Sequence, residues 1–109
     1  MAKLSGLEPE ALWYYFEEIL KIPRPSNHEE KAIDYLLDFA DQKQLEASRD
    51  EVGNVVIRKP ATSGMEDRKD IVLQSHVDMV CEKNEGVEHD FSADPIIPYI
   101  ENGWIKAKG

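Results

Sequence analysis

The chain has 109 residues, 41% hydrophobic and 32% charged, and its 22 acidic against 13 basic side chains give a net charge of −9. That length suits one small domain with a modest core, and no apolar run approaches the roughly 20 residues of a membrane span. The acidic balance argues against nucleic acid or an anionic membrane surface as partner, the start Met1-Ala2-Lys3-Leu4 has no apolar signal core, and the single cysteine allows no intrachain disulfide, so a cytoplasmic location is expected.

Pro9, flanked by Glu8 and Glu10, suits the first turn of a helix, where a missing amide proton costs nothing and acids meet the positive end of the dipole. Leu12, Trp13, Phe16, Ile19 and Leu20 then recur as one apolar stripe. Trp13 and Phe16 belong to that stripe, so the aromatic run 13–16 reads as packing rather than as a binding box. Pro23-Arg24-Pro25 ends the helix. Ser26 with Glu29 has the form of a capping box opening a second helix, whose buried face is Ala32, Ile33, Leu36, Leu37 and Ala40 and whose end falls near Lys43 or Gln44.

From Leu45 the period changes. Leu45–Asp50 and Asn54–Lys59 read as strands around a turn at Glu51-Val52-Gly53, followed by a loop over Pro60–Lys69. Asp70–Val80 is the one strand apolar enough, in Ile71-Val72-Leu73, to lie in the middle of a sheet. Cys81–Asp94 is acidic and irregular. Pro95–Ile100 and Trp104–Lys108 form a hairpin turning at Glu101-Asn102-Gly103, a strong turn signal. Helices first and strands after suggest an α/β or α+β layer, and α/β is the class expected, with two helices covering a mixed β-sheet.

The strand 70–80 carries the chemistry. Alternation puts His76 and Asp78 on one face, about 6.5–7 Å apart, which suits an imidazole holding a metal while a carboxylate supports it. Catalytic groups of open α/β sheets also gather beyond the carboxyl ends of strands. The competing reading is a polar strand end whose imidazole bonds to a neighbouring loop. His28, in the first turn of the second helix, reads as exposed; His89, beside Asp90, as a loop anchor; Cys81 as a buried, inert thiol. There is no phosphate loop around Gly53 or Gly64 and no nucleophile elbow.

Ser75-His76-Val77-Asp78-Met79-Val80 resembles the first metal motif, His-x-Asp-x-Val, of the M20 family of zinc peptidases. The resemblance to its aminoacyl-histidine dipeptidase branch runs through the whole chain. It includes the Leu12-Trp13 helix, Ile22-Pro23-Arg24-Pro25-Ser26-Asn27-His28-Glu29-Glu30, Asp50-Glu51-Val52-Gly53-Asn54 and Ile57-Arg58-Lys59-Pro60-Ala61-Thr62. His89-Asp90-Phe91, Asp94-Pro95-Ile96 and Trp104-Ile105-Lys106-Ala107-Lys108-Gly109 continue it.

The resemblance implies that residues 1–109 are the N-terminal part of a zinc-peptidase catalytic domain. In it His76 binds one Zn2+ of a two-zinc site and Asp78 is the catalytic aspartate behind that histidine. The implied substrates are dipeptides, including Xaa-His. The family's bridging aspartate, Glu-Glu pair and further ligands are expected after Gly109. This polypeptide alone is therefore expected to be inactive and to bind zinc weakly at most, and its unfinished sheet edge to favour self-association. The alternative is a self-contained, non-catalytic α/β module that binds a peptide or partner along a sheet edge.

Overall fold

The computed structural model describes residues 3–109. It shows the expected α/β class, but as two helices and two separate antiparallel hairpins rather than the single mixed sheet expected: α1 (Glu10–Leu20), α2 (Glu30–Gln42), β1 (Glu46–Arg49), β2 (Val55–Arg58), β3 (Pro98–Glu101) and β4 (Trp104–Ala107). The chain forms two compact units, one of residues 3–32 with Asp78–Gly109, the other Ile33–Val77.

In the first unit, Pro9 stands one residue outside α1 in extended conformation, as its N-cap. The expected apolar stripe is only partly covered, for Leu20 is buried while Leu12 and Phe16 are exposed. The buried face instead includes Glu17, whose carboxylate accepts from the amides of Lys3 and Leu4, the latter at 3.3 Å. The sequence pattern does not reveal this, because an acid on a helix normally faces water. Leu4, 2% exposed, is seated by the same contact. Burying such amides without an acceptor costs about 1–3 kcal/mol each, so Glu17 is the price of burying Leu4 beside polar backbone.

The β3–β4 hairpin pairs Glu101 with Trp104, leaving Asn102-Gly103 as a two-residue turn. Both residues have positive φ, 52° and 78°, which is why Asn-Gly occupies it. The amide of Ile96 donates to the carbonyl of Leu20 at 2.9 Å, tying the approach to the hairpin onto the end of α1.

In the second unit, α2 ends as its carbonyls are taken by Gln44, at φ 56°, and Leu45, whose amide reaches Ala40 at 2.8 Å. Ile33 and Ala40 are buried as the stripe requires. Strands β1 and β2 pair Glu46 with Arg58 through to Arg49 with Val55. Their turn is built by Asp50, whose carboxylate accepts from the amides of Val52 (3.0 Å) and Asn54 (2.8 Å) and from the Asn54 side chain (2.7 Å). Gly53, at φ +95°, lies where an added Cβ would come 3.2 Å from Cδ1 of Ile33.

The Asn54 side chain first, then the turn amides, hold the Asp50 carboxyl below its usual range. A depressed folded-state pKa contributes stability that is present above the unfolded value and lost as pH falls through the folded one. Thermal melts from pH 6 to pH 2 will therefore show a downward slope below about pH 4 that flattens in Asp50→Asn, whose side chain has no charge to lose. Identical slopes for the two proteins would show that the turn carboxylate plays no part.

One expected element is absent. Asp70–Val80 forms no strand; its single ladder contact is a parallel bridge from Met79 to Pro25. Ile71, Val72 and Leu73 are 85%, 87% and 93% exposed. The apolar run has β propensity, but a central strand needs a hydrogen-bonded neighbour on each side, and among the described residues none is assigned to it.

Candidate functional site

His76 lies in irregular chain and is exposed, while Asp78, also irregular, is half-buried. With no strand over 70–80, strand alternation does not place the two side chains on a shared face. His76 belongs to the second unit and Asp78 opens the return to the first.

Asp78 is held from the first unit. Pro25-Ser26-Asn27-His28 is a tight turn, closed by the His28 amide donating to the Pro25 carbonyl at 2.9 Å, with Asn27 at φ 70°. This conformation points Ser26 away from the cap expected of it. α2 begins later, at Glu30, and Glu29 Oε1 accepts from the Asn27 amide at 2.6 Å, not from Ser26. The Ser26 hydroxyl donates to Asp78 Oδ2 instead.

Arg24 anchors the same turn. Its Nη1 donates to the carbonyls of Ile19 (2.7 Å) and Ile22 (3.2 Å), and Nη2 lies 3.0 Å from the Met79 sulfur. Burial pulls its guanidinium below the usual pKa, and the two carbonyl acceptors at the end of α1 compensate the charge. The Met79 amide donates to the Arg24 carbonyl at 2.9 Å, completing the junction. Sequence reasoning identified neither Arg24 nor Ser26 as part of the site. The signal was the Pro-Arg-Pro-Ser-Asn run, read there only as a helix stop and restart.

A pocket of about 150 Å³ adjoins this junction, lined in part by Arg24, Met79, Cys81, His89 and Asp94. It is smaller than the roughly 300–1,000 Å³ of typical ligand sites, so it does not by itself enclose a peptide substrate. Cys81 at its rim is exposed, not buried as the sequence suggested, because the chain around it makes no strand to cover it. His89 serves its loop: its ring meets Phe91 edge-on at 4.9 Å, beside an Asp90 carboxylate that accepts from Ser92 Oγ (2.6 Å) and the Ser92 amide (2.9 Å). Those two Ser92 bonds hold the Asp90 carboxyl below its usual range. His28 is exposed, as expected.

Among the described residues no three His, Cys, Asp or Glu side chains converge as a metal site would require. A zinc centre takes three or four protein ligands. His76 suits one such position, but the described residues do not close the site, and no chemical step runs through a metal on them alone. Among the described residues, no helix is long and apolar enough to cross a membrane.

No family model matches the chain. It is 52% identical over all 109 residues to the cytosol non-specific dipeptidase of Escherichia coli (strain K12), covering 22% of that protein. The crystal structure of aminoacylhistidine dipeptidase from Vibrio alginolyticus matches 96% of the chain with a TM-score of 0.92 and 50% identity, over 21% of its own length. The chain thus spans about a fifth of the length of the relatives it matches. In sequence over every residue and in fold over nearly all of them, the chain is similar to one part of these two dipeptidases.

Proposed function

We propose that the chain is the N-terminal part of the catalytic domain of an M20-type, zinc-dependent dipeptidase that works in the cytoplasm and accepts Xaa-His among its substrates. The observation that carries this is the 52% identity to a dipeptidase over all 109 residues of the chain. In this reading His76 supplies one ligand to zinc and Asp78 stands behind that histidine, while the remaining ligands come from outside these residues. Zinc, when bound, polarises a peptide carbonyl and activates water for attack on it. The exposure of His76 is consistent with a ligand awaiting further donors, and the seating of Asp78 by Ser26 with a carboxylate kept in one orientation.

Two arms test the proposal. The complete gene product should hydrolyse Ala-His, lose that activity to a chelator and regain it on adding zinc. The 109-residue chain, given zinc and the same dipeptide, should show no turnover above its His76→Ala variant. A complete gene product without dipeptidase activity would overturn the reading, and turnover by the short chain would overturn the statement that its site is incomplete. The exposed apolar run Ile71-Val72-Leu73 also makes a second copy of the chain its natural partner when nothing else covers that run.

A further inference from the structure

We propose that Ser26 is a positioning residue for Asp78, fixing the orientation of the carboxylate that stands behind the metal-binding histidine; this rests on the dipeptidase reading above. The Ser26 hydroxyl has one proton, and it goes to Asp78 Oδ2. Serine just before a helix ordinarily caps it. Here the helix begins only at Glu30, and the His28 amide, from which a capping Ser26 oxygen would accept, bonds to the Pro25 carbonyl at 2.9 Å instead.

Both ends of the contact are held by backbone. On one side Ser26 occupies a turn closed at 2.9 Å between Pro25 and His28, with Asn27 at φ 70°. On the other, the residue following Asp78 is bridged to Pro25, and its amide bonds to the Arg24 carbonyl at 2.9 Å. Arg24 is fixed in turn on the carbonyls of Ile19 and Ile22 and reaches the Met79 sulfur at 3.0 Å. Serine and aspartate therefore meet at a fixed junction and not through two mobile side chains.

The consequence is specific to carboxylates. Rotation about the Cβ–Cγ bond of aspartate is broad, with no sharply preferred setting. A donor anchored on one oxygen selects one setting and so aims the other oxygen. Groups that orient the immediate neighbours of a metal typically change affinity or activity by about 10–100-fold when removed, and Ser26 sits one step further back. The lower end of that range is expected.

The experiment uses the complete gene product with Ser26→Ala, Ser26→Thr and, as an isostere of threonine without the hydroxyl, Ser26→Val. The readouts are kcat and KM for Ala-His, the rate of zinc release to a chelator, and the thermal midpoint. Alanine should lower kcat about tenfold and speed zinc release by a similar factor, with KM unchanged and the midpoint moved by less than about 4 °C. Threonine should restore most of both losses and valine neither, a contrast that stands even if the alanine variant folds poorly. Equal kcat and equal zinc release in the threonine and valine proteins would overturn the proposal. So would a fall in midpoint with kcat per folded molecule intact. Asp78→Asn, run alongside, separates the two levels: full activity there removes the dipeptidase-site reading itself, whereas a strong loss there with a silent Ser26 removes only the positioning role.

Discussion

On the zinc-dipeptidase reading proposed above, replacing His76 with alanine in the complete gene product will reduce kcat/KM for a Xaa-His dipeptide by more than about 100-fold, while Asp78→Asn will cost about 10–100-fold. The two figures differ because they remove different things. Loss of a ligand takes away part of the metal's binding energy and geometry together. Loss of a carboxylate behind the ligand leaves the metal in place with a less basic, less well-aimed imidazole. The structure makes the comparison clean on the histidine side. His76 is exposed in irregular chain, so its truncation leaves no cavity, and substitutions at such positions usually change stability by no more than about 0.5 kcal/mol. A large activity loss per folded molecule, with the thermal midpoints of the two proteins compared after metal is removed from both, therefore reports chemistry. Asp78 is half-buried and takes the Ser26 hydroxyl, so its asparagine variant, which keeps the shape and one acceptor oxygen, is the right control. Zinc content measured on both proteins completes the check, with depletion expected in His76→Ala and partial retention in Asp78→Asn. Wild-type kcat/KM in His76→Ala would remove His76 from the site.

The features legible in the sequence are those decided within a few residues. Asn102-Gly103 demanded positive φ twice and produced the turn of β3 and β4; Asp50 and Asn54 bracketed a turn that the aspartate itself builds. The period of α2 correctly marked Ile33 and Ala40 as buried. What was not legible depended on surfaces brought from elsewhere. Glu17 is buried because the amides of residues 3 and 4 arrive above it, which no helical period encodes. Ser26 has the local signature of a cap, whose oxygen accepts, and the return of the chain at residues 78 and 79 makes it a donor to Asp78 instead. Type and spacing single out His76 and Asp78, but a shared face for the two requires a strand that residues 70–80 do not form. Propensity is a property of the segment, whereas a strand is a property of the segment and its neighbours.

That distinction yields the second large effect. The 109-residue chain will self-associate in a concentration-dependent way, and Val72→Lys will return it to monomer. Ile71, Val72 and Leu73 stand almost wholly in water. Each such side chain gains about 1.5–3 kcal/mol on full burial, so the three together offer on the order of 5–9 kcal/mol. Association itself costs about 4–15 kcal/mol in lost freedom and ordering, so this run alone does not sustain a tight, obligate dimer. The run lies in no strand, so a second copy can also add backbone hydrogen bonds along it, which tips the balance toward weak pairing at high concentration. Sedimentation velocity from about 10 µM to 500 µM should therefore show a rising average mass for the wild-type chain, and dye binding to exposed apolar surface should fall as it does so. A lysine at 72 puts a charge in the middle of the run and should abolish both trends without altering the β1–β2 or β3–β4 hairpins, whose residues lie elsewhere. On the dipeptidase reading proposed above, in which residues 71–73 are covered within a longer protein, the same substitution should act in the opposite sense there and lower the thermal midpoint. A short chain that stays monomeric across the whole range, with Val72→Lys indistinguishable from it, would show that these three side chains are content in water and need no partner of either kind.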